Sequence, residues 1–187
     1  MKRFLIKILI ICSLLIGHSF AEIIKKIEIK GNKRISNETI LVLSDIKPGV
    51  NFTNVEINDS LKKLYDTNFF ADIKISLSNG LLKIDVLENP IIEDIEIVGL
   101  KNKTFLKKIS ESMILKNRMS FTENQLNNDV DLIKNILKAN GFYFSEVEAS
   151  LVKNEKLNSV KLILDISKGE KARITEIVFL GDKKIKD

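Results

Sequence analysis

The sequence predicts an α+β fold of two tandem units, each running β-α-α-β-β, and three observations carry that reading. The first is the stretch Leu81 to Gly99, LLKIDVLENPIIEDIEIVG. Leu82, Ile84 and Val86 alternate with Lys83, Asp85 and Leu87, as in a strand with one buried face, and a second alternating run starts directly after Asn89-Pro90. Pro90 has no N–H and cannot continue the first ladder, so this joint reads as two folded units in succession, not as a hairpin. The second observation is a repeated I-x-[IF]-x-G at Ile27–Gly31, Ile95–Gly99 and Ile177–Gly181, its glycines 68 and then 82 residues apart. The third is a repeated helix start: Phe52-Thr53-Asn54-Val55-Glu56-Ile57-Asn58 returns 69 residues later as Phe121-Thr122-Glu123-Asn124-Gln125-Leu126-Asn127. Landmarks recurring at matched offsets are the mark of a tandem array.

Each element follows from local chemistry. Ile23 to Lys30 is the first strand, left through Gly31-Asn32-Lys33-Arg34. Ser36 caps a short helix, with Ile35 and Ile40 as a hydrophobic staple, Glu38 in the first turn, and Lys47-Pro48-Gly49 as the break. Thr53 caps the second helix, Glu56 completes a capping box, and Phe52 staples onto Ile57. Ile57, Leu61, Leu64 and Tyr65 form its core stripe, and Asn68 is its left-handed stop. Ile73, Ile75 and Leu77 then alternate up to a Ser78-Asn79-Gly80 turn and the closing strand. Unit two repeats the order. A helix from about Thr104 carries Leu106, Ile109 and Met113, and a longer one carries Leu126, Val130, Ile133 and Leu137 and ends at Asn140-Gly141. Val147, Ala149 and Leu151 form the second strand, and Leu162, Leu164 and Ile166 the closing one. Lys168-Gly169-Glu170 replaces the Glu88-Asn89-Pro90 joint, and a further first strand is expected from Ile174 to Leu180. The expected division is 1–21, 22–89, 90–169 and 170–187. A lone strand has nothing to cover its apolar face, so the sequence is expected to be the N-terminal part of a longer protein.

The first 21 residues read as a secretory signal peptide. Lys2, Arg3 and Lys7 precede an apolar run, and Ser19-Phe20-Ala21 sets small residues for cleavage between Ala21 and Glu22. The run is short of the ~20 residues of a spanning helix. Cleavage removes the only cysteine, Cys12, and the only histidine, His18. It takes three of 30 lysines and arginines and none of 25 acids, so the net charge falls from +5 to +2. The remaining chain has no disulfide, thiol nucleophile or imidazole ligand.

Little else points to chemistry. Tyr143, between Phe142 and Phe144 just after a helix stop, is expected in the core, as is Phe69-Phe70. The paired lysines lie among nearly as many acids and read as solvated faces, and no Gly-x-x-Gly clamp joins the helices, so no nucleic-acid partner is expected. Asp72, Asp85 and Glu148 fall at outward strand positions, but no acidic pair is set by spacing and no serine lies in a nucleophile turn. Neither an enzyme nor a metal site is expected. A small sheet can instead lend an edge to an extended peptide. If the second strand of each unit is an edge, the candidate residues are Ile73, Lys74, Ile75 and Ser76, and Val147, Glu148, Ala149 and Ser150. With Lys74 and Glu148 as guards, the residues alone favour a closed edge.

The β-α-α-β-β order, the I-x-[IF]-x-G strands, Leu64-Tyr65-Asp66-Thr67-Asn68-Phe69-Phe70-Ala71-Asp72-Ile73 and Val86-Leu87-Glu88-Asn89-Pro90-Ile91-Ile92 together resemble polypeptide-transport-associated (POTRA) domains. Gly169-Glu170-Lys171 to Gly181 resembles the junction into a third such domain. The resemblance implies three-stranded mixed sheets, each covered by two helices, in the periplasmic arm of an outer-membrane β-barrel that these residues do not include. Such an arm receives unfolded outer-membrane β-barrel proteins from periplasmic chaperones, docks accessory outer-membrane lipoproteins, and passes substrates on for insertion, with no cofactor. It also implies strand addition at the two candidate edges. Other barrel-type transporters, of the two-partner secretion or the translocation and assembly kind, resemble this architecture too, and a stand-alone periplasmic peptide-binding module remains open.

Overall fold

The structure, a computed structural model, describes residues 22–178. The expected signal segment with Ala21 lies outside the described residues, as do residues 179–187. The chain divides into two compact units between Asn89 and Pro90.

Unit one consists of β1 (Glu22–Ile23), β2 (Lys26–Lys30), α1 (Asn37–Ser44), β3 (Asn51–Phe52), α2 (Asn54–Asp66), β4 (Phe70–Ser78) and β5 (Leu81–Glu88). Its main sheet has the order β2-β5-β4, with β2 parallel and β4 antiparallel to the central β5. The first strand, expected unbroken from Ile23 to Lys30, is split. β1 pairs with β3, after which the Lys25 and Lys26 N–H groups both donate to the Gly80 carbonyl, at 2.8 and 3.1 Å. The chain therefore changes partners at buried Ile24, and that exchange is a long-range event with no local signal.

The caps fall where the residues place them. Ser36 Oγ accepts from the Thr39 N–H at 3.2 Å, and the Thr53–Glu56 capping box is complete, with Glu56 Oε2 accepting from the Thr53 N–H at 2.8 Å. α1 ends earlier than its proline predicts, because Asp45 adopts a left-handed conformation and turns its N–H back onto α1 carbonyls. Asn68 closes α2 in the same conformation, and Asn79-Gly80, both at positive φ, make the tight β4–β5 turn. Of the expected α2 stripe, Leu64 is fully buried and Ile57 and Leu61 pack against the core, but Tyr65 is 42 % exposed. At ~100° per residue Tyr65 stands a full quarter-turn beyond Leu64, which carries its ring off the core face.

Unit two consists of β6 (Ile91–Val98), α3 (Lys103–Ser112), α4 (Glu123–Ala139), β7 (Glu146–Asn154) and β8 (Ser159–Ser167), in the sheet order β6-β8-β7. Again the first strand is parallel and the second antiparallel to the central one. α3 starts slightly before the expected Thr104, capped by the Asn102 side chain on the Phe105 N–H at 3.0 Å. Thr122 caps α4, although Gln125 reaches its hydroxyl and not its backbone. Ile109, Ile133, Leu137, Leu162 and Leu164 form the centre of the core. Phe142 packs onto it, but Tyr143 and Phe144 do not: they are 58 % and 82 % exposed. The segment from Gly141 to Val147 is one residue longer than its counterpart from Asn68 to Ile73, which moves this aromatic pair out of the core register.

The strand expected from Ile174 is absent at residues 174–178, where Ile174, Ile177 and Val178 are exposed. Among the described residues no strand pairs with this segment. Its remaining residues, including Phe179 and Leu180, lie outside the described residues.

The repeated glycines have a steric cause. A Cβ on Gly31 would lie 2.0 Å from the Val86 carbonyl oxygen, and one on Gly99 would lie 2.1 Å from that of Ile166. The contact also aligns the two units residue by residue: Val86 corresponds to Ile166 and, through the sheet registers, Ile73, Ile75 and Leu77 correspond to Val147, Ala149 and Leu151.

Candidate functional site at the sheet edges

Both candidate stretches lie on edge strands, Ile73–Ser76 on β4 and Val147–Ser150 on β7. On β4, Ile73 is buried, Ile75 is half-buried, and Lys74 and Ser76 are exposed. On β7, Val147 is buried, while Glu148, Ala149 and Ser150 are exposed. In an antiparallel pair, residues alternate between exchanging both backbone bonds with the neighbour and turning both groups away from it. The two-residue turn makes Ser78 and Leu81 an exchanging pair, so Ser76 and Lys74 also bond inward and Leu77, Ile75 and Ile73 turn outward. The Ile73 N–H fits this alternation: it donates to Tyr65 Oη at 3.1 Å instead of to β5. Side-chain face and N–H direction are coupled along a strand of L-residues, so the corresponding Val147, Ala149 and Leu151 are the outward residues of β7.

Charge sits lightly on these edges. Lys74 Nζ lies 3.5 Å from an Asp72 carboxylate oxygen, and both groups are exposed, where such a pair contributes little. On the open face of unit two, Lys161 lies 2.8 Å from Glu96 and 3.9 Å from Asp94. Hydrogen bonding and charge from Glu96 raise the Lys161 ammonium above its ordinary value. Glu22, the expected first residue of the mature chain, pairs in β1, and its carboxylate accepts from the Gly80 N–H.

Three buried polar groups that hold the edges' scaffold went unread in the sequence. Glu88 Oε1 accepts from the backbone N–H groups of Lys33, Arg34 and Ile35, at 2.8, 2.9 and 3.0 Å. Burial pushes this carboxyl up, but the bonds from Ile35, Lys33 and Arg34, with the Arg34 charge, outweigh it and hold the group below its ordinary value. Ser60 Oγ donates to the Ser44 carbonyl at 2.9 Å. Asp129, 69 residues later in the repeat and fully buried, accepts from the Ile114 and Leu115 N–H groups at 2.6 and 2.8 Å. Each of the last two ties the second helix of a unit to the end of the first. The available signal was a polar residue one step inside an apolar helical stripe, at Ile57-x-x-Ser60-Leu61 and Leu126-x-x-Asp129-Val130.

A cleft of about 700 Å³ in unit two is lined by Leu100, Phe105 and Phe142 with Lys101, Lys108 and Lys168. Among the described residues no cluster of His, Cys, Asp and Glu is arranged to hold a metal ion, and no helix is long and apolar enough to cross a membrane.

Comparison with known proteins agrees with this geometry. The family model described as POTRA, surface antigen variable number repeat, matches residues 22–89 and 90–169. The outer membrane protein assembly factor BamA of Neisseria meningitidis serogroup B is 28 % identical over 166 residues, covering 88 % of this chain and 21 % of that protein. BamA of Buchnera aphidicola is 25 % identical over 185 residues, covering 96 % of this chain and 29 % of the relative. The chain thus spans under a third of these relatives. Among solved structures, the N-terminal domain of Omp85 from Thermosynechococcus elongatus aligns with a TM-score of 0.55 at 15 % identity, covering 81 % of this chain and 65 % of that one. POTRA1-2 of the periplasmic domain of Omp85 from Anabaena aligns with a TM-score of 0.50 at 12 % identity, over 83 % of this chain and all of that one. The repeated β-α-α-β-β unit, the glycines locked against the closing strands, and a family match that ends at the Asn89–Pro90 joint and resumes there lead to one conclusion: the chain belongs to the POTRA family.

Proposed function

We propose that this chain is the periplasmic POTRA region of an outer-membrane β-barrel assembly factor, exported by a signal peptide cleaved between Ala21 and Glu22. It acts as a protein-binding scaffold without cofactor or catalysis. Residues 22–89 and 90–169 are its first two domains, and residues 170–187 lead into a third. Its partners are unfolded outer-membrane β-barrel proteins, the periplasmic chaperones that deliver them, and accessory outer-membrane lipoproteins. The observation that carries this reading is that each unit keeps one antiparallel edge strand whose outward backbone groups face away from the sheet. Such an edge offers main-chain hydrogen bonds to any extended chain, so it accepts many sequences and needs no chemistry of its own.

Proline tests it, since it removes one N–H and is tolerated on an edge strand where that N–H faces solvent. Ala149→Pro removes an outward donor from β7 at a small exposed residue, and Ile75→Pro does the same on β4. Each is expected to weaken binding of an extended, barrel-derived peptide at its own edge by roughly tenfold, about one hydrogen bond's contribution, with far-UV circular dichroism unchanged. Lys74→Pro removes an inward ladder donor instead and is expected to lower stability. A double variant, Ile75→Pro with Ala149→Pro, that binds as well as the parent would eliminate the edges as the binding surface.

A further inference from the structure

The two edges are not equivalent, and the difference lies in one side chain. Tyr65 was expected in the core of α2, but its ring lies at the sheet margin and its hydroxyl accepts the Ile73 N–H at 3.1 Å. That N–H is one of the outward donors of β4. The same hydroxyl lies 3.5 Å from Asp72 Oδ1, and the β4 register is irregular between Phe70 and Asp72. An incoming strand would have to take the Ile73 donor from Tyr65 and displace a half-exposed ring from beside it. Beyond this point β4 offers its donors at Ile75 and Leu77 only.

Unit two cannot make this contact. Counted from the helix caps, Thr53 and Thr122, the residue of α4 that corresponds to Tyr65 is Lys134. Counted from the left-handed stops, Asn68 and Gly141, it is Lys138. An ammonium carries donors and no acceptor, so neither residue can take a backbone N–H. Lys138 is engaged elsewhere, 5.9 Å from the centre of the Tyr143 ring. Val147, Ala149 and Leu151 therefore lie on an edge without the tyrosine's equivalent.

We propose that the Tyr65 hydroxyl is an intramolecular cap on β4, so that an extended peptide adds along the whole of β7 but only along the Ile75–Ser78 half of β4. This inference rests on the strand-addition reading above and assigns it a preferred site: the edge of unit two takes the peptide first, and that of unit one opens fully only when Tyr65 is displaced. The ligand it implies on β7 is a chain of alternating apolar and polar residues, since the strand's own side chains alternate between the covered and open faces of the sheet.

Tyr65→Phe keeps the ring and deletes the acceptor. Amide exchange in the full chain is the first readout: the Ile73 amide is expected to exchange roughly threefold to tenfold faster in the variant, with Leu82 and Ile84 unchanged. Unaltered exchange at Ile73 overturns the cap. The second readout is titration with a blocked peptide of about ten alternating apolar and polar residues, the length of a barrel strand. In the parent, amide shifts are expected at Val147, Ala149 and Leu151 and, more weakly, at Ile75 and Leu77, with Ile73 joining them only in the variant. Shifts at Ile73 in the parent equal to those at Val147 overturn the preference. Absence of shifts at both edges in both proteins overturns strand addition itself, and the exchange result then decides the cap separately.

Discussion

Glu88→Ala removes one carboxylate that holds the backbone of a loop lying 53 to 55 residues away in sequence. Its Oε1 takes three N–H groups, and its side chain is 3 % exposed beside the Arg34 guanidinium, whose Nε lies 4.0 Å from Oε2. Hydrogen bonds to a charged group contribute about 1.5–3 kcal/mol each. Lys33 and Arg34 are exposed, so water recovers much of the gross sum, and the expected loss is about 2–3 kcal/mol, confined to unit one. Native-state amide exchange measures it with an internal control, because Leu82 and Ile84 report on unit one and Leu162 and Leu164 on unit two. The first pair is expected to exchange about 30- to 150-fold faster in the variant, as that loss implies, and the second pair at its parental rate. Glu88→Gln keeps the shape and loses the charge, and is expected to cost about half as much. The pH dependence has a definite sign. The folded carboxyl lies below its ordinary value, so its stabilisation is full above the unfolded value of ~4.3 and is lost as pH falls through the lower folded value. In Glu88→Gln that component of the pH profile is expected to be flat. An acceleration under about threefold at Leu82 and Ile84 in Glu88→Ala, or an equal one in both units, would refute the latch.

Glycine substitutions should rank by the contacts they create. Gly31→Ala and Gly99→Ala drive a Cβ onto a backbone oxygen and are each expected to cost about 3 kcal/mol or more in urea unfolding, whereas Gly49→Ala, at φ +80 with nothing within 4 Å, should cost about 1 kcal/mol. Equal losses at the three positions would disprove the steric account. The two helix latches should differ as well. Asp129→Ala strands the buried Leu115 N–H and is expected to cost about 3 kcal/mol, and Ser60→Ala, which removes a neutral donor, about 1 kcal/mol. Thermal melts of both variants compare them directly, and an Asp129→Ala loss no larger than that of Ser60→Ala would contradict the reasoning.

Local chemistry by itself determined the repeat and the inventory of elements. Helix caps at Ser36, Thr53 and Thr122, the stop at Asn68, the Asn79-Gly80 turn and the alternating closing strands each depend on residues within a few positions of one another, so short windows of sequence display them. The spacing of the glycines also marked the units, because Gly31 and Gly99 answer the same close approach twice.

What the tertiary structure alone decided depends on partners far apart in the chain. The exchange of β-partners at Ile24, the hold of Glu88 on the 33–35 loop, and the latches at Ser60 and Asp129 each join segments 14 to 58 residues apart. The helical period put Tyr65 near the core stripe, but a quarter-turn of rotation past Leu64 sends its ring to the edge of β4, where its hydroxyl accepts the Ile73 N–H. One added residue after Gly141 moved Tyr143 and Phe144 outward in the same way. Strand order, and with it which backbone groups face away from the sheet, is set by the packing of helices on one face and by parallel pairing to a central strand. Neither leaves a mark on the alternation of a single strand, because an edge strand and a central strand of one sheet bury the same face.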